Sequence, residues 1–92
     1  MSRLNSINFP LFRKYANGNT YFRVNAFDNF DELKIMGNNY SLKNYKATIL
    51  PDRNYIMDLI NNEGEHWKII DENEFNQTLA SCEEKMQKVD WL

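Results

Sequence analysis

The stretch LFRKYANGNTYFRV, Leu11 to Val24, limits the folds open to this chain more than any other. Asn17-Gly18 sits between two runs of aromatic and basic residues and suits a two-residue type I′ turn, whose two positions need the positive φ that Asn and Gly tolerate best. Such a turn sets Ala16 opposite Asn19, Lys14 opposite Tyr21, Arg13 opposite Phe22 and Phe12 opposite Arg23. A three-residue loop would set Arg13 against Arg23, and like charges directly opposite one another destabilise a sheet. The two-residue register then sorts the side chains by face. Leu11, Tyr15, Phe22, Val24 and Ala26 share one side with a single misfit, Arg13, and read as core. Phe12, Lys14, Tyr21, Arg23 and Asn25 share the other, a mixed surface of rings and cations.

Downstream, Leu33 and Ile35 alternate with Lys34 and Met36, so 30–37 reads as a strand turning at Gly37-Asn38-Asn39. A short helix capped by Asp28 and ended by Gly37 is the alternative. Tyr45 to Leu50 alternates and is rich in strand formers, and Pro51-Asp52 ends it because proline lacks a ladder donor. Tyr55 to Ile60 reads as a further strand, with Ile56, Asp58 and Ile60 on one face. A turn at Asn61-Asn62-Glu63-Gly64 leads to a last strand at 66–70, with Trp67 and Ile69 inward.

A helix is expected over 71–89. Asp71 and Glu74 form a capping pair. Phe75, Leu79, Cys82, Met86 and Val89 make one continuous stripe at helical spacing. Each stripe residue that is fully buried stabilises by roughly 1.5–3 kcal/mol. Strands first and a helix last give an α+β domain spanning 1–92: a small antiparallel sheet of about five strands, opened by the hairpin and packed on one C-terminal helix. One helix covers one sheet face, so the other is expected to stay open with Phe12, Tyr21, Ile56 and Ile60 on it.

Ninety-two residues make one domain with a modest core. Cys82 is the only cysteine, which excludes an internal disulfide and any cysteine-cluster metal site. No apolar run has the length of a signal peptide or a membrane span, so the expected setting is a reducing cytoplasm, without membrane contact. Asn, Lys, Ile, Tyr and Phe are frequent while Gly and Ala are scarce, the bias AT-rich bacterial or phage codons produce. Net charge is −2 but uneven. Residues 1–46 hold seven basic against three acidic groups, and 47–92 hold four against ten, or +4 and −6. Such asymmetry marks a nucleic-acid face or two halves that neutralise each other in one fold.

Catalysis finds little footing. His66 is the sole histidine, and Glu63 and Glu65 beside it fall short of the three or four spaced ligands that a metal needs. Cys82 lies mid-stripe, where a buried thiol packs rather than attacks. Three isolated glycines build no phosphate loop. No enzyme, cofactor or metal is expected.

Binding is the reading the residues favour. A small regulatory protein would present Phe12, Lys14, Tyr21, Arg23, Lys46, Ile56 and Ile60 to a protein partner or a second copy of itself. A phage- or mobile-element-encoded inhibitor of a bacterial nucleic-acid enzyme, in the manner of anti-CRISPR proteins, is one version. There Asp58, Glu63, Glu65, Asp71, Glu72, Glu74, Glu83 and Glu84 would imitate nucleic acid against a basic groove. The alternative is single-stranded RNA or DNA binding, with Phe12 and Tyr21 stacking on bases and Lys14 and Arg23 on phosphates. Against it, the sheet signature of the common RNA-binding fold is missing, and cross-strand cation–π pairing of Lys14 with Tyr21 and Arg23 with Phe12 explains the same residues.

Overall fold

Strands β1 (Leu11–Tyr15) and β2 (Thr20–Ala26) pair antiparallel in the expected register, Leu11 with Val24, Phe12 with Arg23, Arg13 with Phe22 and Lys14 with Tyr21. The structure, a computed structural model, describes residues 7–16, 18–61 and 66–92. Asn17, with it the expected turn type, and Asn62 to Glu65 lie outside them. Gly18 takes a left-handed φ of +81°, and its N–H donates to the Tyr15 carbonyl at 2.8 Å.

The meander continues through β3 (Asn29–Met36) and β4 (Asn39–Lys46), paired over their full length from Asn29–Lys46 to Met36–Asn39. Residues 30–37 are thus a strand and not the short helix. The turn between them holds Gly37 at φ +59°. Strand β4 begins and ends earlier than its alternation implies, because Leu50 already opens helix α1 (Leu50–Asn61). Here the expected strand at Tyr55–Ile60 is overturned. Pro51 falls in the first helical turn, where its missing N–H has no partner to lose and its fixed φ suits the helix. Asp52 stands beside it at the positive end of the helix dipole. Ile56, Leu59 and Ile60 then fall at i, i+3 and i+4 and are buried together.

Two short strands complete the sheet. Strand β5 (Trp67–Ile69) pairs antiparallel with β1, and β6 (Gln87–Lys88) runs parallel to β4, giving the order β5-β1-β2-β3-β4-β6. Among the described residues the sheet is therefore six-stranded and mixed, with two helices, where about five antiparallel strands and one helix are expected from the sequence. Trp67 is buried, but Ile69, expected inward, is 68% exposed at the sheet margin.

Helix α2 (Glu72–Lys85) starts where the capping pair places it: the Asp71 carboxylate accepts from the Glu74 N–H at 2.8 Å. It ends four residues short of 89, because Met86 turns extended and delivers Gln87 and Lys88 to the edge of β4.

Alternation along β2 explains the layering. Phe22 and Val24 point to α1 and pack with Phe30, Ala47, Ile56, Leu59, Ile60 and Trp67. Tyr21 points the other way and joins Phe12, Leu33, Tyr40, Phe75 and Cys82 under α2. Each face carries a helix. The open sheet face does not exist: Phe12, Ile56 and Ile60 are core residues on opposite sides of the sheet.

Arg13, the misfit, is 7% exposed and serves α1. Its Nε donates to the Leu59 carbonyl at 2.9 Å and its Nη2 to that of Ile60 at 3.1 Å, so a cation closes the carbonyl end of the helix.

Candidate functional site

With both faces covered, the hairpin's basic and aromatic residues acquire partners within the fold. Phe12 lies 5.6 Å from the Phe75 ring of α2. Lys14 binds Glu74 at 2.9 Å, which raises its pKa through that hydrogen bond, and stands 5.9 Å over Tyr21. Arg23 does not pair with Phe12. Its guanidinium lies 5.3 Å over Phe75 and binds Asp31 at 2.8 Å. Asp31 is held further by amide hydrogen bonds from Asn25 at 2.9 Å and Asn44 at 2.8 Å. Burial works to raise its pKa, yet the hydrogen bonds from Asn25, Asn44 and Arg23 and the Arg23 charge hold it below the usual value. The Lys14–Glu74 pair joins the basic N-terminal half to the acidic C-terminal half.

The described acidic residues of the expected set fall on two elements on opposite sides of the sheet. Asp58 lies on α1, across the sheet from α2. Asp71 caps α2, Glu72 and Glu74 occupy its first turn, and Glu83 and Glu84 lie near its far end, roughly 14 Å along the axis at 1.5 Å per residue. Glu63 and Glu65 lie outside the described residues. His66 is exposed ahead of β5, whereas Cys82 is buried under α2, its thiol pKa pushed up by burial and then by Glu83. Among the described residues no three His, Cys, Asp or Glu side chains lie together so as to hold a metal ion.

Lys46 is the one basic residue of the expected set that remains exposed without an ion-pair partner among the described residues, and it marks a different place. Where β4 ends and α1 begins, Phe30, Tyr45, Lys46, Ala47, Asp52 and Tyr55 line a pocket of about 120 Å³. Its walls are rings: Phe30 stacks on Tyr45 with centroids 5.1 Å apart, and Tyr55 lies 5.7 Å from Phe30. The series runs on through Phe22 to Trp67, 5.1 Å apart, and Trp67 to Tyr15, 4.9 Å apart. Burial, then the charge of Glu32, pushes the Tyr55 hydroxyl up to about 12, and the same two causes raise Tyr45. Both phenols are therefore neutral hydrogen-bond donors at neutral pH.

Ile49 and Leu50, at the mouth of α1, are 58% and 69% exposed, and Tyr45 and Tyr55 are 40% and 37% exposed. The alternation in the sequence reads Tyr45–Leu50 as one strand and Tyr55–Ile60 as another, which separates rings that the β4–α1 turn brings together. The available signal was Ile49-Leu50 directly before a proline at a helix start. Elsewhere Trp91, 66% exposed, lines an open groove with Leu92, Thr20, Lys34 and Met36, and the Leu92 carbonyl accepts from Lys43 at 2.8 Å. Among the described residues no helix is long and apolar enough to cross a membrane.

No family model, no curated protein and no solved structure matches the chain.

Proposed function

We propose that this chain is a small non-catalytic binding protein that acts on a protein partner through the surface formed by Tyr45, Ile49, Leu50 and Tyr55. The observation that carries the reading is the exposure of Tyr45 and Tyr55, which help to line a pocket of about 120 Å³, together with that of Ile49 and Leu50 in the segment between its lining residues Ala47 and Asp52. Small-molecule sites usually enclose roughly 300–1,000 Å³, whereas a cavity of about 150 Å³ accepts a single benzene ring. The pocket therefore fits one side chain, as the anchoring residue of a protein interface does.

The inhibitor version adds a bacterial nucleic-acid enzyme as partner. It draws on the small size, the AT-rich composition and the exposed Glu72, Glu83 and Glu84 of α2. The nucleic-acid alternative, through Phe12, Lys14, Tyr21 and Arg23, requires α2 to leave the sheet, since these residues pack or pair beneath it.

Two measurements test the reading. A benzophenone amino acid at position 50 is expected to cross-link a discrete protein, whose affinity for the purified chain falls at least tenfold (about 1.4 kcal/mol) in the Ile49→Lys, Leu50→Lys double variant. Equal affinity in the double variant would refute the surface. The second is a fluorescence-anisotropy titration with labelled single-stranded RNA and DNA. Binding whose log affinity falls against log salt at about −0.7 per phosphate would favour the nucleic-acid reading instead.

A further inference from the structure

Strand β4 is eight residues long, but β6 covers only its first two, Asn39 and Tyr40. On that outer edge the Gln87 N–H donates to the Asn38 carbonyl at 2.9 Å and the Val89 N–H to that of Tyr40 at 2.8 Å. Backbone groups alternate in direction along a strand of an antiparallel pair. Leu42, Asn44 and Lys46 therefore turn their N–H and C=O groups outward in phase with Tyr40, while the Ala47 N–H points inward to the Asp28 carbonyl at 2.7 Å. Among the described residues no strand pairs with this outer stretch. It leads directly into the aromatic pocket, which Tyr45, Lys46 and Ala47 help to line.

From these observations we infer that the 42–46 edge of β4 captures an extended acidic peptide segment of the partner by strand addition. The inference rests on the protein-binding reading above and deepens it. An added strand lies about 4.8 Å beyond β4 and alternates its side chains between the two sheet faces. One side chain on the α1 side enters the pocket between Tyr45 and Tyr55, and an aliphatic or aromatic residue suits its ring-lined walls. Charge decides the rest. Ser41 to Lys46 carries Lys43 and Lys46 and no carboxylate. Lys43 stands opposite Glu32 of β3 and donates to the Leu92 carbonyl at 2.8 Å, so the exposed Lys46, without an ion-pair partner among the described residues, carries the choice. A second copy pairing on this edge would add two further lysines and no carboxylate from its own edge strand, which is how lysines keep edges from self-pairing. A segment bearing Asp or Glu offsets the Lys46 charge.

The test uses the full chain and a library of random eight-residue peptides displayed on phage. Selected peptides are expected to carry acidic residues and one large apolar residue, and to slow hydrogen exchange at the Leu42, Asn44 and Lys46 amides. Asn44→Pro removes one outward N–H at an edge position where proline is tolerated, and is expected to weaken such peptides at least tenfold. Asn44→Ala, which loses the Asp31 contact but keeps the N–H, is expected to bind within about twofold of the parent. Circular dichroism checks that both variants fold. Binding that survives Asn44→Pro but is lost with the Leu50→Lys change overturns strand addition and leaves the protein-binding surface standing. Selection of no peptide, or of basic ones, overturns the inference. So does a dimer in sedimentation that Asn44→Pro dissolves, because a second copy then occupies the edge.

Discussion

Replacing Arg13 with methionine gives the sharpest test of how this sheet holds its first helix. The side chain is 7% exposed on the core face of β1, opposite Phe22. Three of its nitrogens reach backbone carbonyls: Nε reaches Leu59 at 2.9 Å, Nη2 reaches Ile60 at 3.1 Å and Nη1 reaches Phe12 at 2.8 Å. Hydrogen bonds from a charged group contribute about 1.5–3 kcal/mol each to net stability. Burying the guanidinium offsets part of that, and burial lowers its pKa for the same reason. Taking the low end for the two helix carbonyls alone, Arg13→Met should destabilise by about 3 kcal/mol. At about 2.1 cal/mol/K per residue of unfolding entropy, that lowers Tm by about 15 °C in a chain of this length. Apolar replacement of buried ion pairs can be neutral or even stabilising, but there both charges leave together. Here the acceptors are backbone and remain behind without donors. Differential scanning calorimetry reads the shift directly, and Arg13→Lys, retaining the charge but not the fork, should fall between. If Arg13→Met melts within 3 °C of the parent, the claim that the guanidinium caps α1 is wrong.

Three further outcomes are expected. Asp31 has a depressed pKa in the folded state, so its contribution is present above the unfolded value of about 3.9 and is lost as pH falls through the folded one; Asp31→Asn should flatten the acid limb of a stability–pH curve from urea melts. Tyr55 behaves in the opposite sense: its pKa is raised to about 12, so its contribution is present below the unfolded value near 10 and is lost between there and about 12. Burial raises Tyr40 and Tyr45 as well, so phenolate absorbance should show a late-ionising group of tyrosines from which Tyr55→Phe removes the last member. Lys14 and Lys68 stand directly opposite on β1 and β5; Lys68→Glu should raise the thermal midpoint, and by less as salt is added.

How much of this was legible in the sequence depended on how local the deciding interaction was. The hairpin register followed from one turn and one like-charge clash, both within fourteen residues. The start of α2 followed from a side chain and an amide three residues apart. Helix α1 was missed because Ile56, Leu59 and Ile60 satisfy a helical period over too short a run to exclude an alternating one. Proline tipped the choice wrongly: read as a strand breaker it hid its second role as a helix starter. Strand β6 was illegible for another reason, since parallel pairing of two residues with a strand nearly fifty positions earlier leaves no pattern in either. The acceptors of Arg13 are likewise 46 and 47 residues away, so the residue registered only as a misfit.

That single missed helix also moved the candidate site. A sheet with one covered face must bind through the other, which is why the ring-and-cation surface of the hairpin drew the functional reading. Two helices on a six-stranded sheet cover the central strands from both sides, and Phe22, Val24 and Leu33 are each 0% exposed as a result. Thirteen aromatic residues nonetheless exceed what such a core encloses, so rings surface where the layers end. Tyr45 and Tyr55 surface between β4 and the start of α1. Backbone follows the same logic: with β6 stopping at Tyr40, the ladder leaves its outward groups beyond that residue without a strand partner among the described residues. Rings and edge meet at Lys46, so a partner that engages one lies within a few ångströms of the other. Binding through the pocket alone and binding by strand addition therefore share Tyr45 and Tyr55 as sensitive positions. The Asn44 amide distinguishes them, because it belongs to the edge and not to the pocket lining.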